Sequence, residues 1–503
     1  MNSFKPMLLT SLKSYDRAQF AKDVTAGIIV AIIALPLSIA LALASGVGPE
    51  AGIFTAIVAG FVISALGGSC VQIAGPTAAF ATIVAGIVAR DGLEGLMTAT
   101  ILAGVFLIIM GFCHFGSLIK FIPYTITTGF TSGIAVTIVI GQLKDFCGVT
   151  YPDGVKPIET MEKLKAFAEN FSMISPDALI VGGVSLAILI VSPLIFKKIP
   201  GSLIAVIVGI LMVQFLPLHV STIGNLYTIS NALPTLHLPV FDMKLIQSAI
   251  PNAFTIAVLA AIESLLSCVV ADGMINSKHR SDTELIAQGA GNIASALFGG
   301  IPATGAIART AANIKNGGRT PVAGIVHSIT LVIVLVVLMP FAGMIPMPTI
   351  AAILFLVAYN MCQWRTFVHL VRTAPKSDII VLFTTFVLTV VFDLVVAIEI
   401  GMVLACLLFI KRMSEETHAD SWVYVDDDSP AVDEHLQKLP LEIRVYEITG
   451  PLFFGAADAI EHIVVKDFTK CLVLRMRSVP AIDSTAMNAL QNLTKLCESK
   501  GIT

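Results

Sequence analysis

The chain has 503 residues, of which 56% are hydrophobic and only 13% charged, with a mean hydropathy of +0.89 and a formal net charge of −3. This composition excludes a soluble globular protein of this size, and the slightly acidic balance excludes the basic surface of a nucleic-acid-binding protein. Eight cysteines are scattered singly, without a Cys-x-x-Cys pair or a Cys/His cluster, so neither a disulfide framework nor a metal site is predicted.

The chain begins with residues 1–22, which are predicted to form a basic, amphipathic lead in the cytoplasm. A cleavable signal is not expected, because the first apolar run is too long and starts too late. About fourteen apolar segments follow and make up a transmembrane domain over residues 23–412. They are residues 24–45, 50–67, 76–89, 94–114, 121–142, 178–196, 200–217, 250–273, 283–299, 303–314, 321–344, 348–362, 378–392 and 394–410.

The distribution of basic residues supports this count, because short cytoplasmic connections are enriched in Lys and Arg. With the N-terminus inside, the short outside connections near Val47, Pro346 and Asp393 carry no basic residue, and Arg90 is the one exception. The pattern predicts a multi-pass membrane protein with both termini in the cytoplasm. The basic residues of the predicted cytoplasmic connections are Lys120, Lys197, Lys198, Lys278, Arg280, Lys315, Arg319, Arg365, Arg372, Lys376, Lys411 and Arg412.

Two stretches, residues 74–80 and 300–306, place a proline before an apolar segment that is too short to span a membrane. Proline is favoured at the first helical position, which predicts helices over residues 76–89 and 302–314. Each would be about 20 Å long, against ~30 Å for the hydrocarbon core, so both are expected to begin near the membrane centre. The alternative is an ordinary loop–helix junction at the surface.

The two short helices are the third and the tenth of the fourteen segments, and therefore hold equal positions in two groups of seven. The third runs outward and the tenth inward, so their N-termini are predicted to meet near the midplane. This arrangement is typical of an inverted-repeat transporter, in which broken helices mark the binding site. Free N–H groups and the positive end of the helix dipole would then point at an anion.

The small residues at both helix starts would let a ligand approach the backbone closely. We expect backbone N–H groups of Thr77, Ala78 and Ala79, and of Thr304 and Gly305, to hold the anion. The full set of predicted substrate-binding residues is Gly75, Pro76, Thr77, Ala78, Ala79, Phe80, Pro302, Thr304, Gly305, Ala306 and Arg309.

Glu263 is the most informative ionisable residue, because it lies within the eighth apolar segment. A charge at a membrane centre costs roughly 2.5–3.5 kcal/mol on insertion scales, so such residues are usually functional. Glu263 is predicted to couple transport to an ion, with Ser267 one turn later able to bond the ion or the carboxyl group. The alternative is a structural carboxylate that caps a half-helix.

Arg309, on the inner half of the tenth segment, is predicted to add positive charge to the anion site. Its alternatives are an ion pair with Glu263 or a contact with lipid headgroups. Capping and interhelical hydrogen bonds are expected for four further polar residues. These are Asp272, Glu284, Gln288 and Asn292.

After residue 412 the composition becomes polar and acidic, which predicts a linker over residues 413–440 and a small soluble α/β domain over residues 441–503. The chain stops at Thr503, where a further strand and helix are expected, so this domain is predicted to be incomplete at its C-terminus. The predicted elements of the domain are strand 441–448, helix 456–465, strand 471–476 and helix 483–497.

The last predicted helix of this domain begins in the sequence Asp483-Ser484-Thr485-Ala486. Asp or Ser at a helix N-cap satisfies backbone N–H groups that have no partner within the helix. Phosphorylation of Ser484 is the alternative interpretation.

Six motifs along the chain resemble those of the SulP family of anion transporters, whose C-terminal STAS domain is shared with anti-sigma-factor antagonists. The likeness is greatest to the proteobacterial C4-dicarboxylic acid transporters of this family. The motifs are ALPLSIALA at 34–42, AGPTAAF at 74–80, AIESLLS at 261–267, ADGM at 271–274, IPATGAIART at 301–310 and DSTA at 483–486.

The resemblance implies a 7+7 inverted repeat with a core domain and a gate domain, a homodimer, and an elevator-like transport step. It places the substrate between the third and tenth helix starts, with Leu37 and Leu41 of the first segment lining the site. The sodium-coupled bicarbonate branch of the family carries Asp and Thr where this chain has Glu263 and Ser267, which favours protons over sodium as the coupling ion.

The leading hypothesis is a proton-coupled symporter of a small anion: a C4-dicarboxylate, sulfate or bicarbonate. The alternatives are an uncoupled exchanger or channel, a sodium-coupled bicarbonate or sulfate transporter, and a membrane sensor that signals through residues 441–503. A nucleobase permease is disfavoured, because Arg309 and two helix dipoles would face a neutral ring. An enzyme is not expected, since no nucleophile–base pair appears, and no cofactor is predicted.

Overall fold

The computed structural model divides the chain into two compact units. The first comprises Met1–Ala374 and Ile379–Gly401, and the second comprises Pro375–Asp378 and Met402–Thr503. The residues that the structure describes are 4–117, 123–152, 157–195, 200–239, 242–392, 394–421, 440, 442–461, 463 and 468–503. Four positions of the predicted charge pattern, Lys120, Lys197, Lys198 and Asp393, lie outside the described residues.

The chain up to residue 415 is mostly helical, with two very short strands, β1 (Ala74–Gly75) and β2 (Thr304–Gly305). The helices are α1 (Met7–Ser11), α2 (Arg17–Ala44), α3 (Pro49–Leu66), α4 (Ala81–Phe112), α5 (Tyr124–Cys147), α6 (Thr160–Glu169), α7 (Pro176–Ile195), α8 (Gly201–Phe215), α9 (Ile223–Leu226), α10 (Met243–Ile275), α11 (Ser281–Leu297), α12 (Ile307–Lys315), α13 (Val322–Ala342), α14 (Met347–Cys362), α15 (Trp364–Thr373), α16 (Lys376–Val391) and α17 (Leu394–Glu415). Single 3₁₀ turns lie at Leu12–Ser14, Ala78–Phe80 and Phe171–Met173.

The predicted membrane segments are confirmed as helices. Within the described residues, eight helices are long and apolar enough to cross a membrane, and α8 is a shorter apolar helix. The third and fourth predicted segments are joined in α4, which is broken at Gly92 with a φ of 69°. Glycine has no Cβ and adopts this left-handed conformation without strain, which allows the chain to turn between a half-helix and a full span.

The helix contacts have the symmetry expected of two inverted groups of seven. α3 packs against α13, and α11, which corresponds to α3 in the second group, packs against α4. α2 and α10, the first and eighth segments, each contact both α4 and α12. The two half-helices are therefore flanked by the first helices of the two repeats.

The positions of the two half-helix starts differ from the prediction. Ala74 pairs with Gly305 and Gly75 with Thr304 in an antiparallel ladder. Proline is therefore not the first helical residue in either repeat, and helical structure begins only after this ladder. Peptide groups inside a membrane need partners within the protein. The non-helical segments that precede the two half-helices, residues 67–77 and 298–306, supply such partners by pairing with each other. We call these segments the first and the second lead-in.

The second unit contains a three-stranded sheet of β3 (His418–Ser421), β4 (Ile443–Thr449) and β5 (Cys471–Ser478), in that order. β4 lies antiparallel to β3 and parallel to β5. Two helices, α18 (Asp458–Glu461) and α19 (Ser484–Ser499), accompany the sheet.

The predicted strands and the last helix of the α/β pattern are present in this unit. The predicted helix 456–465 is a single turn, α18, with part of the range outside the described residues. The predicted linker is corrected at its start, because residues 418–421 form strand β3 against β4. Residues 422–439 of that linker lie outside the described residues.

Asp483 is the N-cap of α19, as the sequence predicted. Its Oδ1 accepts the Ala486 N–H at 2.9 Å, and its Oδ2 accepts the Phe454 N–H at 2.9 Å, so one carboxylate holds both the helix start and the preceding loop. Ser484 is the first residue of the helix and is exposed. Its phosphorylation stays a prediction.

Replacing Gly52 by alanine should destabilise the helical unit, because a Cβ there would overlap the backbone carbonyl of Ser38 where α3 crosses α2. Overpacking of this kind costs about 1–3 kcal/mol. The control is Gly183→Ala on α7, where the added Cβ meets no atom of the described residues within 4 Å. We expect a lower thermal midpoint in detergent for Gly52→Ala and an unchanged midpoint for Gly183→Ala. Equal midpoints in the two variants would contradict the close helix crossing.

Candidate functional site

The first half of the candidate site is the start of the α4 half-helix. Thr77 has an extended backbone and precedes the 3₁₀ turn Ala78–Phe80, and no described side chain caps this turn. The first N–H groups of a helix lack intrahelical partners. Thr77 is partly exposed, whereas Ala78 exposes 7% of its surface and Ala79 none, so the uncapped turn is largely buried and begins next to one accessible residue.

The second half is the start of α12, which differs from the prediction in one respect. The N–H of Gly305 donates to Ser264 Oγ at 3.2 Å, so it is not free to bind an anion. The Thr304 hydroxyl is also engaged, with Ser264 Oγ at 2.6 Å. The uncapped turn begins after Ala306, at Ile307, where no side chain of the described residues caps the helix.

Glu263 lies at the junction of α10 with the first half-helix. Its Oε2 accepts a hydrogen bond from the Thr77 hydroxyl at 3.1 Å, and its side chain is partly exposed. The carboxylate therefore contacts the residue that precedes the uncapped turn.

Arg309 is 1% exposed and lies beneath the first lead-in, which excludes the alternative of a lipid contact. Its Nη2 donates to the Pro76 carbonyl at 3.0 Å, and a Cβ at Gly75 would overlap its Nη1. The predicted alternative of an ion pair with Glu263 is not observed among the described residues. Its Nε and Nη1 have no hydrogen-bond partner in the described part of the chain. A buried guanidinium charge thus links α12 to the lead-in of α4.

Ser267 makes no hydrogen bond to Glu263 among the described residues, contrary to the expectation that it could bond the carboxyl group. Its Oγ lies 3.5 Å from Thr310 Oγ1, which in turn accepts the Ile73 N–H at 3.1 Å. The Ile73 carbonyl accepts the Ala306 N–H at 3.0 Å, so the backbone N–H of this predicted substrate-binding residue is engaged within the protein. Ser267 therefore belongs to the framework that connects α10 and α12 to the first lead-in.

The remaining predicted lining residues are packed to different degrees. Leu41 is 1% exposed and Leu37 is partly exposed, both on α2. Phe80 exposes none of its surface and Pro302 is buried. Contact of these side chains with a substrate stays a prediction. No group of three His, Cys, Asp or Glu side chains that could hold a metal ion lies within the described ranges.

A buried carboxylate on α11 holds the first lead-in. Glu284 is 0% exposed, and it accepts the N–H groups of Gly68 at 2.9 Å and Ser69 at 3.2 Å. It also accepts the Gln72 side-chain amide at 2.9 Å. The Gln72 amide fills the space next to Gly305, where a Cβ would overlap it. One carboxylate thereby positions the first lead-in directly and reaches the second through Gln72.

An asparagine two turns further along α11 holds the second lead-in. Asn292 Oδ1 accepts the Ala303 N–H at 2.8 Å, and its Nδ2 donates to the Ala303 carbonyl at 2.9 Å. Gln288, midway between the two, donates to Glu284 Oε1 at 2.8 Å. Glu284, Gln288 and Asn292 form a ladder with a spacing of four residues on one face of α11, which we call the α11 ladder.

The four polar residues that were expected to cap or to bond across helices thus have different roles. Glu284 and Asn292 bond the two lead-ins, whereas the Gln288 side chain bonds within α11. Asp272, near the C-terminal end of α10, accepts the His279 N–H at 2.9 Å and holds the turn that leads to α11.

Several residues of this framework were not predicted from the sequence. Three of them are polar residues within apolar or small-residue stretches, and this placement is the only sequence signal for their role in the framework. They are Gln72, Ser264 and Thr310. His327 on α13 was also missed; it is 0% exposed and neither ring nitrogen has a partner among the described residues.

Comparison with known proteins gives two family matches. The model described as "Sulfate permease family" matches residues 20–385, and the STAS domain model matches residues 437–503. YvdB of Bacillus subtilis (strain 168), a candidate sulfate transporter, is 39% identical over 96% of this chain and 90% of its own length. The bicarbonate transporter BicA of Picosynechococcus is 34% identical over 93% of this chain and 85% of its own length.

Solved structures show the same fold. The transmembrane domain of a cyanobacterial bicarbonate transporter BicA superposes with a TM-score of 0.68 at 28% identity, over 78% of this chain and 98% of that one. Murine Solute Carrier 26 family member A9, an anion transporter in the inward-facing state, superposes with a TM-score of 0.88 over 99% of this chain and 87% of that one. At 19% identity the second match supports the fold alone.

Replacing Asn292 by alanine should leave the buried N–H and carbonyl of Ala303 without the partner that now holds both. An unsatisfied buried polar group costs about 1–3 kcal/mol, and the second lead-in should lose its position. We expect a several-fold higher KM for anion uptake and a lower thermal midpoint. Asn316→Ala is the control, because Asn316 also donates to a carbonyl, but to that of Ala312 in its own helix, at 2.8 Å. If Asn292→Ala keeps the parent KM, the α11 ladder does not position the site.

Proposed function

The chain belongs to the sulfate permease family, and we propose that it carries a small oxyanion across the bacterial inner membrane together with a proton. It is an anion transporter and not an enzyme. The names of its relatives favour sulfate or bicarbonate as the substrate, and a C4-dicarboxylate is the further candidate from the motif resemblance. Both termini are proposed to be cytoplasmic.

One observation carries this proposal: the β1–β2 ladder holds together two half-helix starts that no described side chain caps, and the Arg309 guanidinium is buried beneath the segment that leads into the first. Each helix N-terminus is equivalent to roughly +0.5 charge, so the two starts and Arg309 together supply about +2. Oriented N–H groups at helix starts readily bind oxyanions. A dianion would balance this charge.

Glu263 supplies the proposed link to protons. An ionised carboxylate next to Thr77 would reduce the positive charge of the site to about +1, and protonation would restore about +2. A dianion would therefore bind better to the protonated protein, and by linkage it would favour proton binding by the same factor. Because protonation of Glu263 favours binding of the dianion, we expect faster uptake at acidic external pH.

The transport step and the assembly are proposed from the family resemblance. The half-helices, together with the helices that pack on them, would move as the core against a gate formed by the remaining spans, in an elevator-like step. A homodimer is the proposed assembly. Residues 441–503 are proposed to affect assembly or regulation without contacting the substrate.

Ala78→Leu should abolish binding, because the larger side chain would cover the uncapped turn that is proposed to hold the anion. The control is Ala89→Leu on α4, where the native side chain is exposed. We expect uptake into proteoliposomes to fall more than about tenfold for Ala78→Leu, a loss of about 1.4 kcal/mol or more, with a monodisperse, folded protein. Normal uptake by this variant would refute the proposed anion position. A substitution at Gly305 would be less informative, since it would also displace Gln72.

Glu263→Gln should lose proton-driven accumulation while keeping exchange of substrate, because the amide cannot change its charge. The assay is concentrative uptake of sulfate, bicarbonate and succinate by purified protein in liposomes, under an imposed proton or sodium gradient. Glu399→Gln is the comparison, since Glu399 on α17 is exposed. Accumulation by Glu263→Gln equal to that of the parent would assign coupling elsewhere. Accumulation driven only by sodium would replace the proton in this mechanism.

A further inference from the structure

A cavity of about 240 Å³ lies along the half-helix of α4. Thr82, Gly86 and Arg90 line it at intervals of four residues, which places all three on one face of α4. Thr137 of α5 and Thr389 of α16 also line it. Thr82 lies one helical turn beyond Ala78, so the cavity extends from the edge of the candidate site to Arg90, about 12 Å along the helix axis.

Arg90 is the one basic residue that departs from the positive-inside pattern. Its position at the cavity offers a reason why a basic residue is present in this outside connection. Its side chain is exposed, and its Nε donates to the Gly86 carbonyl at 3.3 Å, which directs it back along the helix toward the half-helix start. It forms no ion pair with any described residue. Its positive charge is therefore available to a ligand in the cavity.

Lys163 of α6 provides a second cation at the same cavity. It is partly buried, the loss of water contact lowers its pKa, and it has no ion-pair partner among the described residues. Lys165, two residues later, differs because its Nζ lies 4.0 Å from Glu169 and it does not line the described cavity. A partly desolvated ammonium group gains more from an anionic partner than a fully hydrated one.

Two carboxylates, Glu159 and Glu162, also line the cavity, but both bond the backbone at the start of α6. The Glu159 side chain accepts the N–H of Glu162, and Glu162 Oε2 accepts the N–H groups of Ile158 at 3.1 Å and Glu159 at 3.3 Å. The positive end of the α6 dipole offsets part of their charge. Among the described residues of this cavity, the cations are therefore the charged groups that remain open to a ligand.

We propose that Arg90 and Lys163 form an outer capture site, which binds the substrate oxyanion before it reaches the half-helix starts. This inference rests on the proposed function and extends it to the route by which the anion arrives. A guanidinium fork and an ammonium group suit sulfate, bicarbonate or a carboxylate. The Thr82 hydroxyl group can donate a hydrogen bond to the anion in the cavity, whereas those of Thr137 and Thr389 already donate to the Ile134 and Thr385 carbonyls of their own helices. Capture by exposed charges raises the association rate and weakens with salt.

The test measures initial uptake rates of sulfate and bicarbonate at low and high ionic strength. Uptake is compared between intact cells, which present the outer face, and inside-out vesicles, which present the inner face. The variants are Arg90→Gln, Lys163→Gln and the double variant, with Arg90→Lys as the conservative replacement and Lys165→Gln as the matched control.

We expect the double variant to raise KM about three- to tenfold in cells at low ionic strength, with kcat nearly unchanged. The increase should shrink at high ionic strength and be absent in inside-out vesicles. Arg90→Lys and Lys165→Gln should keep a KM close to that of the parent. A structural role for Arg90 would instead lower kcat or protein yield at every ionic strength, and that result would contradict the capture site.

A parent-like KM for the double variant in cells, or an equal increase in both preparations, would also overturn the capture site. The proposed transport function would stand in that case, because it is tested separately by uptake through the parent and its loss in Ala78→Leu. Absence of uptake by the parent for every anion tested would overturn both.

Discussion

The structure depends on one constraint: peptide groups inside a membrane must find their partners within the protein. The two half-helices are possible only because their non-helical lead-ins satisfy each other and bond the helices around them. The β1–β2 ladder pairs the lead-ins, and the Ala306 N–H donates to the Ile73 carbonyl at 3.0 Å just beyond it. The same bonds that satisfy the backbone place the two helix starts next to each other. The hydrogen bonds that pair the two lead-ins therefore also assemble the candidate site.

Side chains from neighbouring helices complete this pairing. Asn292 of α11 holds both polar groups of Ala303, and Ser264 of α10 accepts the Gly305 N–H. Glu284 performs the corresponding role for the other lead-in. In the described part of the chain, no side chain caps the first turns of the two half-helices. The protein therefore holds the lead-ins in place and leaves donors open where an anion is proposed to bind.

The charged residues around the site differ in burial and in partners. Glu284 is fully buried and accepts several hydrogen bonds, which suits a fixed structural anion. Glu263 is partly exposed and accepts a hydrogen bond from a hydroxyl group, which suits a group that changes its protonation or its ligand. Arg309 combines a structural bond to Pro76 with two nitrogens that have no partner among the described residues. Position in the fold, rather than residue type, separates these roles.

Segment lengths and the distribution of Lys and Arg could be read from the sequence alone, because both are direct consequences of the membrane. The fourteen segments and the two half-helices at equivalent positions are of this kind. Glu263 could be recognised because a carboxylate within an apolar segment is costly and therefore usually functional. Only the tertiary structure decided where the half-helices begin and which donors stay free. Ala74 and Gly305 are far apart in the chain, and a two-residue strand has no periodicity that could reveal their pairing. Likewise, packing sets the rotation of α10 about its axis, and this rotation turns Ser264 and Ser267 toward the framework rather than toward the Glu263 carboxylate.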